Sequence, residues 1–236
     1  MEVNRQEILE LYKGMRVTDV IDGMDAIGLQ DTGTMTADIH PLWRDIENFK
    51  HCFMGFAMTV RFMPTNRALH ATDIEDYKKK KSEWYSQCSE KDVYKYMQPG
   101  DVLVIDGDIK RDIGYLGSNS AYNHFLNGFV GLVTNGHCRD SDELIKQQVP
   151  IYYRTLGRGI RPGRLEIDGV NIPVNVGGVL VRPGDFVVAD GDGVVVVPIE
   201  HVYEVGKFAR EVAEDDKATR RKLYDKAGRP HDFTLY

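Results

Sequence analysis

Residues 135 to 144 read NGHCRDSDEL. Arg139 and Asp140 stand side by side, between the apolar run GFVGLVTNG and a segment patterned as a helix start. Arginine presents a planar fork of N–H donors that holds a carboxylate through two hydrogen bonds. Aspartate is a hard oxygen ligand suited to Mg2+ or Mn2+, ions that keep waters and take few protein ligands. Aimed into one pocket, the pair would grip an oxo acid by its carboxylate while a cation polarises the ketone beside it. The same residues also fit helix punctuation. Asp140 followed by Glu143 resembles a capping box, and Arg139 would then pair with a surface acid.

A second stretch, GSNSAYN, complements the first. Gly117 followed by Ser118, Asn119 and Ser120 at a helix start leaves backbone N–H groups unpaired, with partial positive charge from the helix dipole. Such a tip suits a carboxylate or phosphate, and Ser118 serves equally as a simple N-cap. Tyr122, four residues after Ser118, shares its helical face, whereas His124 is less well placed. Cys138 beside His137 and Arg139 is a candidate nucleophile, although small semi-apolar residues next to a site are usually packing.

The elements that must carry these residues follow from pattern. EILELYKGM and VTDVIDGMDAIG have apolar residues at helical spacing, with Thr18 or Asp19 as a cap for the second helix. Residues 52 to 63 read as a buried strand. Residues 64 to 97 form a polar insert with helical character, whose KKKK run reads as a solvated helix face. QPGDVLVIDGD and RPGDFVVADGDG repeat one pattern: a Pro-Gly turn, an aspartate, a short apolar strand and an Asp-Gly-Asp turn. The plain expectation is two equivalent turn–strand–turn units in two sheets; the alternative makes Asp106, Asp108, Asp190 and Asp192 a cation cluster. Residues 118 onward start a helix, GFVGLVTNG and VPIYYRT are strands, and 157 to 177 are loop and hairpin. A long helix and tail occupy 200 to 236. The expectation is one α/β domain over 1–236, with N-terminal helices in 1–30.

Composition narrows the classes. The chain has 236 residues, a net charge of -6 and 42% hydrophobic residues, which suits a soluble globular protein and argues against a nucleic-acid surface. No apolar stretch approaches membrane-span length, and the polar, amphipathic start is unlike a signal peptide. Cys52, Cys88 and Cys138 are unpaired in spacing, as expected of a cytoplasmic protein with reduced thiols.

The run GYLGSNSAYNHFLNGFVGLVTNGHCRD resembles the RraA-like family, which includes class II 4-hydroxy-4-methyl-2-oxoglutarate and 4-carboxy-4-hydroxy-2-oxoadipate aldolases and the RNase E regulator RraA. The resemblance continues through VPIYYRT and IPVNVGGVLVRPGDFVVADGDGVVVVP, and takes in VTDVIDGMDAIG and QPGDVLVIDG. Residues 64–97 and 157–170 fit it less well. It implies a swivelling β/β/α domain assembled as homotrimers or homohexamers, with sites in clefts between subunits. It implies Arg139 on the substrate carboxylate, Asp140 on Mg2+ or Mn2+, and the amides of Asn119 and Ser120, after Gly117, on the pyruvate carboxylate end. The implied reaction cleaves a 4-hydroxy-2-oxo acid through a pyruvate enolate, without a Schiff base; some members also decarboxylate oxaloacetate. The alternative is a non-catalytic regulator that binds another protein. At one position the sequence departs from the aldolases, which carry an acid where this chain has Ser118. His137 is the candidate replacement: in an extended segment it points to the same side as Arg139, and imidazole exchanges protons near neutral pH. Arg158, Arg161 and Arg164 would meet a substrate's anionic tail, or else remain solvated loop charges.

Overall fold

The computed structural model describes residues 3–88, 90–107 and 112–236. The chain begins with helices α1 (Arg5–Tyr12) and α2 (Val17–Ala26), followed by the short β1 (His40–Pro41). Arg16, rather than Thr18 or Asp19, precedes the first turn of α2. Asp19 still takes part, because its carboxylate reaches back to accept the Arg16 N–H at 2.8 Å.

β2 (Phe53–Pro64) is the longest strand, and aromatic and β-branched residues bury nearly all of its length. Helix α3 (Ile74–Gln87) and a 3-10 turn (Glu90–Lys95) follow. Then come β3 (Asp101–Asp106), β4 (Gly114–Leu116), α4 (Ser118–Leu126), β5 (Gly131–Cys138), α5 (Ser141–Lys146) and β6 (Ile151–Leu156). The strands β7 (Leu165–Val170), β8 (Val174–Val176), β9 (Val179–Val181), β10 (Phe186–Asp190) and β11 (Gly193–Val197) lead into the long α6 (Val202–Ala227).

The main sheet runs β1-β6-β5-β3-β2-β10-β11, with β4 beside β5 and β7 beside β2. The β2, β3, β5 and β6 neighbours are parallel, while β10 and β7 run antiparallel to β2. The two ends of the sheet, β1 and β11, approach each other, so the sheet is nearly closed. Alternation along β3 divides the core. Val102 and Val104 point inward with Val133 and Val187, whereas Leu103 and Ile105 point outward with Leu132 and Phe129 beneath α4 and α5. A third core joins α1, α2 and α6 to the β10–β11 hairpin through Ile8, Tyr12, Val20 and Val205.

The two Pro-Gly-Asp units lie in one sheet, not in two. β3 and β10 flank the same strand, β2, with opposite sense. Asp101 and Asp185 do the same work in each, accepting the N–H of Gln98 and of Arg182 at 2.7 Å to close the turn. The aspartates that end the strands are far apart. Asp106 pairs in register with Arg61 and Ala189 with Phe53, so Asp106 and Asp190, one residue further on, face positions roughly 30 Å apart along β2 at ~3.3 Å per residue. They form no common cation cluster. Asp108 lies outside the described residues.

Candidate active site

β5 delivers Cys138 to the rim of the sheet, and there the chain turns sharply. The Arg139 N–H donates to the Leu116 carbonyl at 2.9 Å, and the Gly157 N–H donates to the Cys138 carbonyl at 2.8 Å, so β4 and the start of loop 157–164 grip the turn from two sides. Asp140 then takes a left-handed conformation, with φ of 59° and ψ of 43°. That region is unfavourable for most side chains; aspartate tolerates it better than most. Asp140 precedes α5 as its N-cap residue, yet its carboxylate makes no capping bond there. The side chain turns away to the neighbouring helix, where Oδ2 accepts the Ser118 N–H at 3.2 Å. The capping-box reading is therefore incorrect: the left-handed backbone sends the carboxylate toward the α4 tip instead.

Arg139 lies alongside. Its Nε donates to Asp140 Oδ1 at 3.2 Å. Among the described residues its terminal guanidinium nitrogens make no other hydrogen bond, so the reading of Arg139 as the partner of a surface acid also fails. Two glycines make room for it. A Cβ at Gly114 would sit 2.4 Å from Arg139 Cγ, and one at Gly117 would sit 2.5 Å from Asp140 Oδ2. Backbone must approach these side chains closely, which only glycine permits.

Gly117 caps α4 without a side-chain bond. Of the free N–H groups in the first turn, Ser118 is taken by Asp140. Asn119 and Ser120 have no acceptor among the described residues, and both line a cleft of about 480 Å³ shared with Arg139 and Asp140. A guanidinium, a carboxylate and a helix tip thus open onto one space, which is what chelating a small oxo acid requires.

The remaining predicted residues divide. The Ser118 side chain is buried and is not part of the cleft wall. His137 is likewise absent from the wall; its ring hydrogen-bonds Thr155 and stacks near Tyr115. Tyr122 is partly exposed outside the cleft, while His124, the less favoured of the two by helical phase, is buried and lines it. The cleft-facing phase of α4 is Ser120, Asn123 and His124, set by how the helix lies on β3 and β5 rather than by its spacing from Ser118. His124 Nδ1 sits 2.8 Å from the Tyr94 hydroxyl, which also accepts from Asn123 at 3.0 Å. Of the three loop arginines only Arg161 reaches the cleft. Arg158 pairs with Asp112, holding that carboxyl below its ordinary range, and Arg164 donates to the Ile160 carbonyl. Burial pushes the Cys138 thiol up to about 12, so it is no nucleophile near neutral pH.

Sequence reasoning missed Lys81, Tyr85 and Tyr94, which wall the cleft from α3 and the 3-10 turn. The KKKK run is not one solvated face. Lys78 pairs with Glu75 and Lys80 with Asp76, while Lys81 is partly buried and lines the cleft.

Residues 17–196 match the family described as RraA-like, Aldolase/RraA. The chain belongs to the RraA-like family. A Thermus thermophilus relative named 4-hydroxy-4-methyl-2-oxoglutarate aldolase is 29% identical over 167 residues, covering 69% of this chain and 92% of that protein. A Halalkalibacterium halodurans relative, provisionally named for the same activity, is 36% identical over 134 residues, 54% of this chain and 60% of its own length. The chain thus spans about three fifths of that relative. Among solved structures, Streptomyces coelicolor RraAS2, described as an unusual member of the RNase ES inhibitor RraA family, superposes with a TM-score of 0.70. It is 27% identical and covers 93% of this chain and 98% of its own. A Pseudomonas syringae protein shares the fold with a TM-score of 0.73 at 22% identity, over 98% of this chain and 97% of its own. The swivelling β/β/α fold with terminal helices is therefore the fold of this chain, as the sequence resemblance implied.

Proposed function

We propose that the chain is a divalent-metal-dependent lyase that cleaves a small 2-oxo acid, a 4-hydroxy-2-oxo acid aldolase with oxaloacetate decarboxylation as a related activity. The observation that supports this most is the left-handed Asp140, which turns its carboxylate from its own helix into the space faced by Arg139 and the α4 tip. The aldolase name of the Thermus thermophilus relative points the same way.

The donor set fits the ion. Asp140 offers one carboxylate, and each oxygen retains a lone pair after the Ser118 and Arg139 contacts. Among the described residues no three His, Cys, Asp or Glu gather as a metal cluster. A single hard carboxylate suits Mg2+ or Mn2+, with waters and substrate oxygens completing the shell, and differs from the nitrogen and sulfur set of zinc. When bound, the ion supplies Lewis-acid polarisation of the substrate ketone.

The side chains do the rest. Arg139 holds the substrate carboxylate with its terminal nitrogens. The Asn119 and Ser120 N–H groups stabilise the oxygen that gains charge as the C3–C4 bond breaks and its electron pair passes toward the ketone. The proton of the 4-hydroxyl must leave, and C3 must gain one to release pyruvate. The Ser118 side chain stands outside the cleft wall and is a poor base. His137 stands outside it too, so His124, backed by Tyr94, is the imidazole that the cleft offers.

Phe125 and Leu126 are exposed on α4, an apolar edge that suits contact with another copy of the chain; homotrimer or homohexamer is the assembly the family resemblance implies. The three free thiols support a cytoplasmic setting. The likeness to RraAS2 favours a second reading, a protein-binding regulator.

The test is a panel of 4-hydroxy-2-oxo acids and oxaloacetate, with pyruvate followed by a coupled assay. Release that requires Mg2+ or Mn2+ and stops with chelator is expected. No pyruvate from any member of the panel overturns the lyase reading and leaves the regulator.

A further inference from the structure

A second cavity shares no lining residue with the cleft. It is a groove of about 660 Å³ between α2, β10, α6, loop 43–52 and the C-terminal tail. We propose that this groove binds a small amphiphile, an apolar body carrying one carboxylate, with Arg220 as the anchor of the carboxylate.

The wall suits the body. Met15, Phe49, Phe53, Met54 and Ala213 line the groove, and at its mouth Phe49 and Phe233 stay exposed. A cavity of this size with apolar walls and exposed rings at its edge has the form of a ligand site. Phe49 adds a second sign. Its backbone is left-handed, with φ of 54°, a conformation that a bulky side chain holds only under constraint. Strain kept at an exposed position is a mark of ligand clamps. The Phe49 ring meets Phe233 edge to face at 5.1 Å. The tail itself is tied to α6, where Arg220 and Arg221 donate to the Thr234 and Leu235 carbonyls. Among the described residues no hydrogen bond joins loop 43–52 to the tail, so two rings, and no polar seam, close that side of the groove.

The charges suit the head. Most polar groups of the groove are spent within the fold. Asp190 accepts two backbone N–H groups, Arg16 is shared by Asp19 and Asp216, and Lys217 pairs with Glu214. Asp192 is exposed at the β10–β11 turn. Arg220 differs. It is half-buried, makes no ion pair among the described residues, and donates there only to the Thr234 carbonyl, at 3.3 Å. Its Nε–H is buried without an acceptor. Buried donors left in that state are rare and call for a partner. A guanidinium beside apolar walls takes a carboxylate through charge-assisted hydrogen bonds, while the chain behind the carboxylate leaves water along the wall.

Calorimetry on the full chain with octanoate, hexanoate, octanol and octylammonium tests this. Octanoate should bind saturably at about one per chain. Hexanoate, two methylenes shorter, should bind about tenfold more weakly. Octanol, without the charge, should also lose about tenfold, and octylammonium should bind more weakly still. Arg220→Gln keeps the helix; it should bring octanoate down to the level of octanol and leave octanol within about twofold. Phe49→Gly removes the wall ring and the left-handed strain together, so the fold should persist while octanoate and octanol both weaken by about fivefold or more. Octanol binding as tightly as octanoate overturns the proposal, and so does equal octanoate binding by wild type and both variants. Failure of octanoate to saturate overturns it as well; if Phe49→Gly then lowers the mass seen by light scattering, the groove is a contact between copies of the chain instead.

Discussion

Two cavities of this chain hold nearly the same chemistry and use it differently. The α4 cleft has arginine, aspartate, histidine, lysine and tyrosine. A larger groove, about 660 Å³, runs between α2, β10, loop 43–52 and the C-terminal tail, and it holds the same five types plus Cys52. In the groove the fold consumes the charges. Asp190 accepts the N–H groups of Val17 and Asp192, each at 2.8 Å. Arg16 is shared between Asp19 and Asp216, Arg44 donates to the Gly191 carbonyl, and Lys217 pairs with Glu214. His51 accepts the Asp45 N–H on Nδ1 at 3.1 Å, which leaves the proton on Nε2, facing Cys52. A histidine in that tautomer cannot act as the thiol's base, and burial pushes the Cys52 thiol up to about 11.

In the cleft the pattern reverses. Asp140 is aimed by a left-handed backbone, Arg139 keeps its terminal nitrogens available, and Lys81 makes no ion pair among the described residues. What separates a candidate site from a structural network is therefore not which residues gather, but whether their hydrogen-bonding capacity is left over.

That contrast can be broken by exchanging roles. Arg139→Lys should raise KM by about tenfold to a hundredfold, because one ammonium cannot replace a two-pronged contact worth roughly 1.5–3 kcal/mol. Steady-state kinetics on the best 2-oxo acid reads it. A KM within twofold of wild type would make Arg139 structural, like Arg16. His124→Gln should lower kcat by about tenfold or more, the lower end of what general acid–base groups contribute, with KM little moved. An unchanged kcat would free the imidazole of its proton role.

Asp190→Ala is the converse. It leaves two backbone N–H groups without their acceptor and should cost about 1–3 kcal/mol of stability while turnover persists. Thermal denaturation and the pyruvate assay together separate the two effects, and loss of turnover in the folded variant would move the site toward the groove. The pH dependence has a definite sign. Burial holds the Asp190 carboxyl above its ordinary value, so the folded chain binds that proton more tightly than the unfolded chain. The contribution is fully present below the unfolded value near pH 4 and is lost as pH rises through the folded value. The margin of wild type over Asp190→Ala should narrow over that interval. The smallest effect is expected at the thiols: Cys138, with its thiol near 12, should resist alkylation at pH 8 in the native state, and rapid labelling there would contradict its burial.

Strands and turns were legible in the sequence because local chemistry sets them. The Pro-Gly-Asp units close with the same aspartate-to-backbone bond at Asp101 and Asp185, and α4 begins at Ser118, as the glycine and the polar triplet indicate. The Arg139–Asp140 pair was legible as a candidate, but its meaning was not. A left-handed Asp140 and an ordinary N-cap have the same sequence, and only the grip of Leu116 and Gly157 on the turn decides between them. Lys81 was hidden, and Arg161 could not be told apart from Arg158 and Arg164, for a related reason. Helical spacing says which residues share a face, not what the face covers, and the packing of α3 against loop 157–164 is a long-range contact. His124 was undervalued because phase was counted from Ser118, whose side chain faces away from the cleft wall.

The most direct test is Asp140→Asn. Asparagine tolerates the left-handed backbone and keeps an oxygen for the Ser118 N–H, so only the charge is removed. Mn2+ binding can be followed by electron paramagnetic resonance with oxalate present, beside a melting curve. Wild type should take up Mn2+, and Asp140→Asn should weaken that uptake by about a hundredfold, the upper end of what the loss of a ligand's hydrogen-bond partner alone costs, at an unchanged melting temperature. Equal Mn2+ uptake by the folded variant would contradict the central claim that this carboxylate, turned away from its own helix, holds the cation.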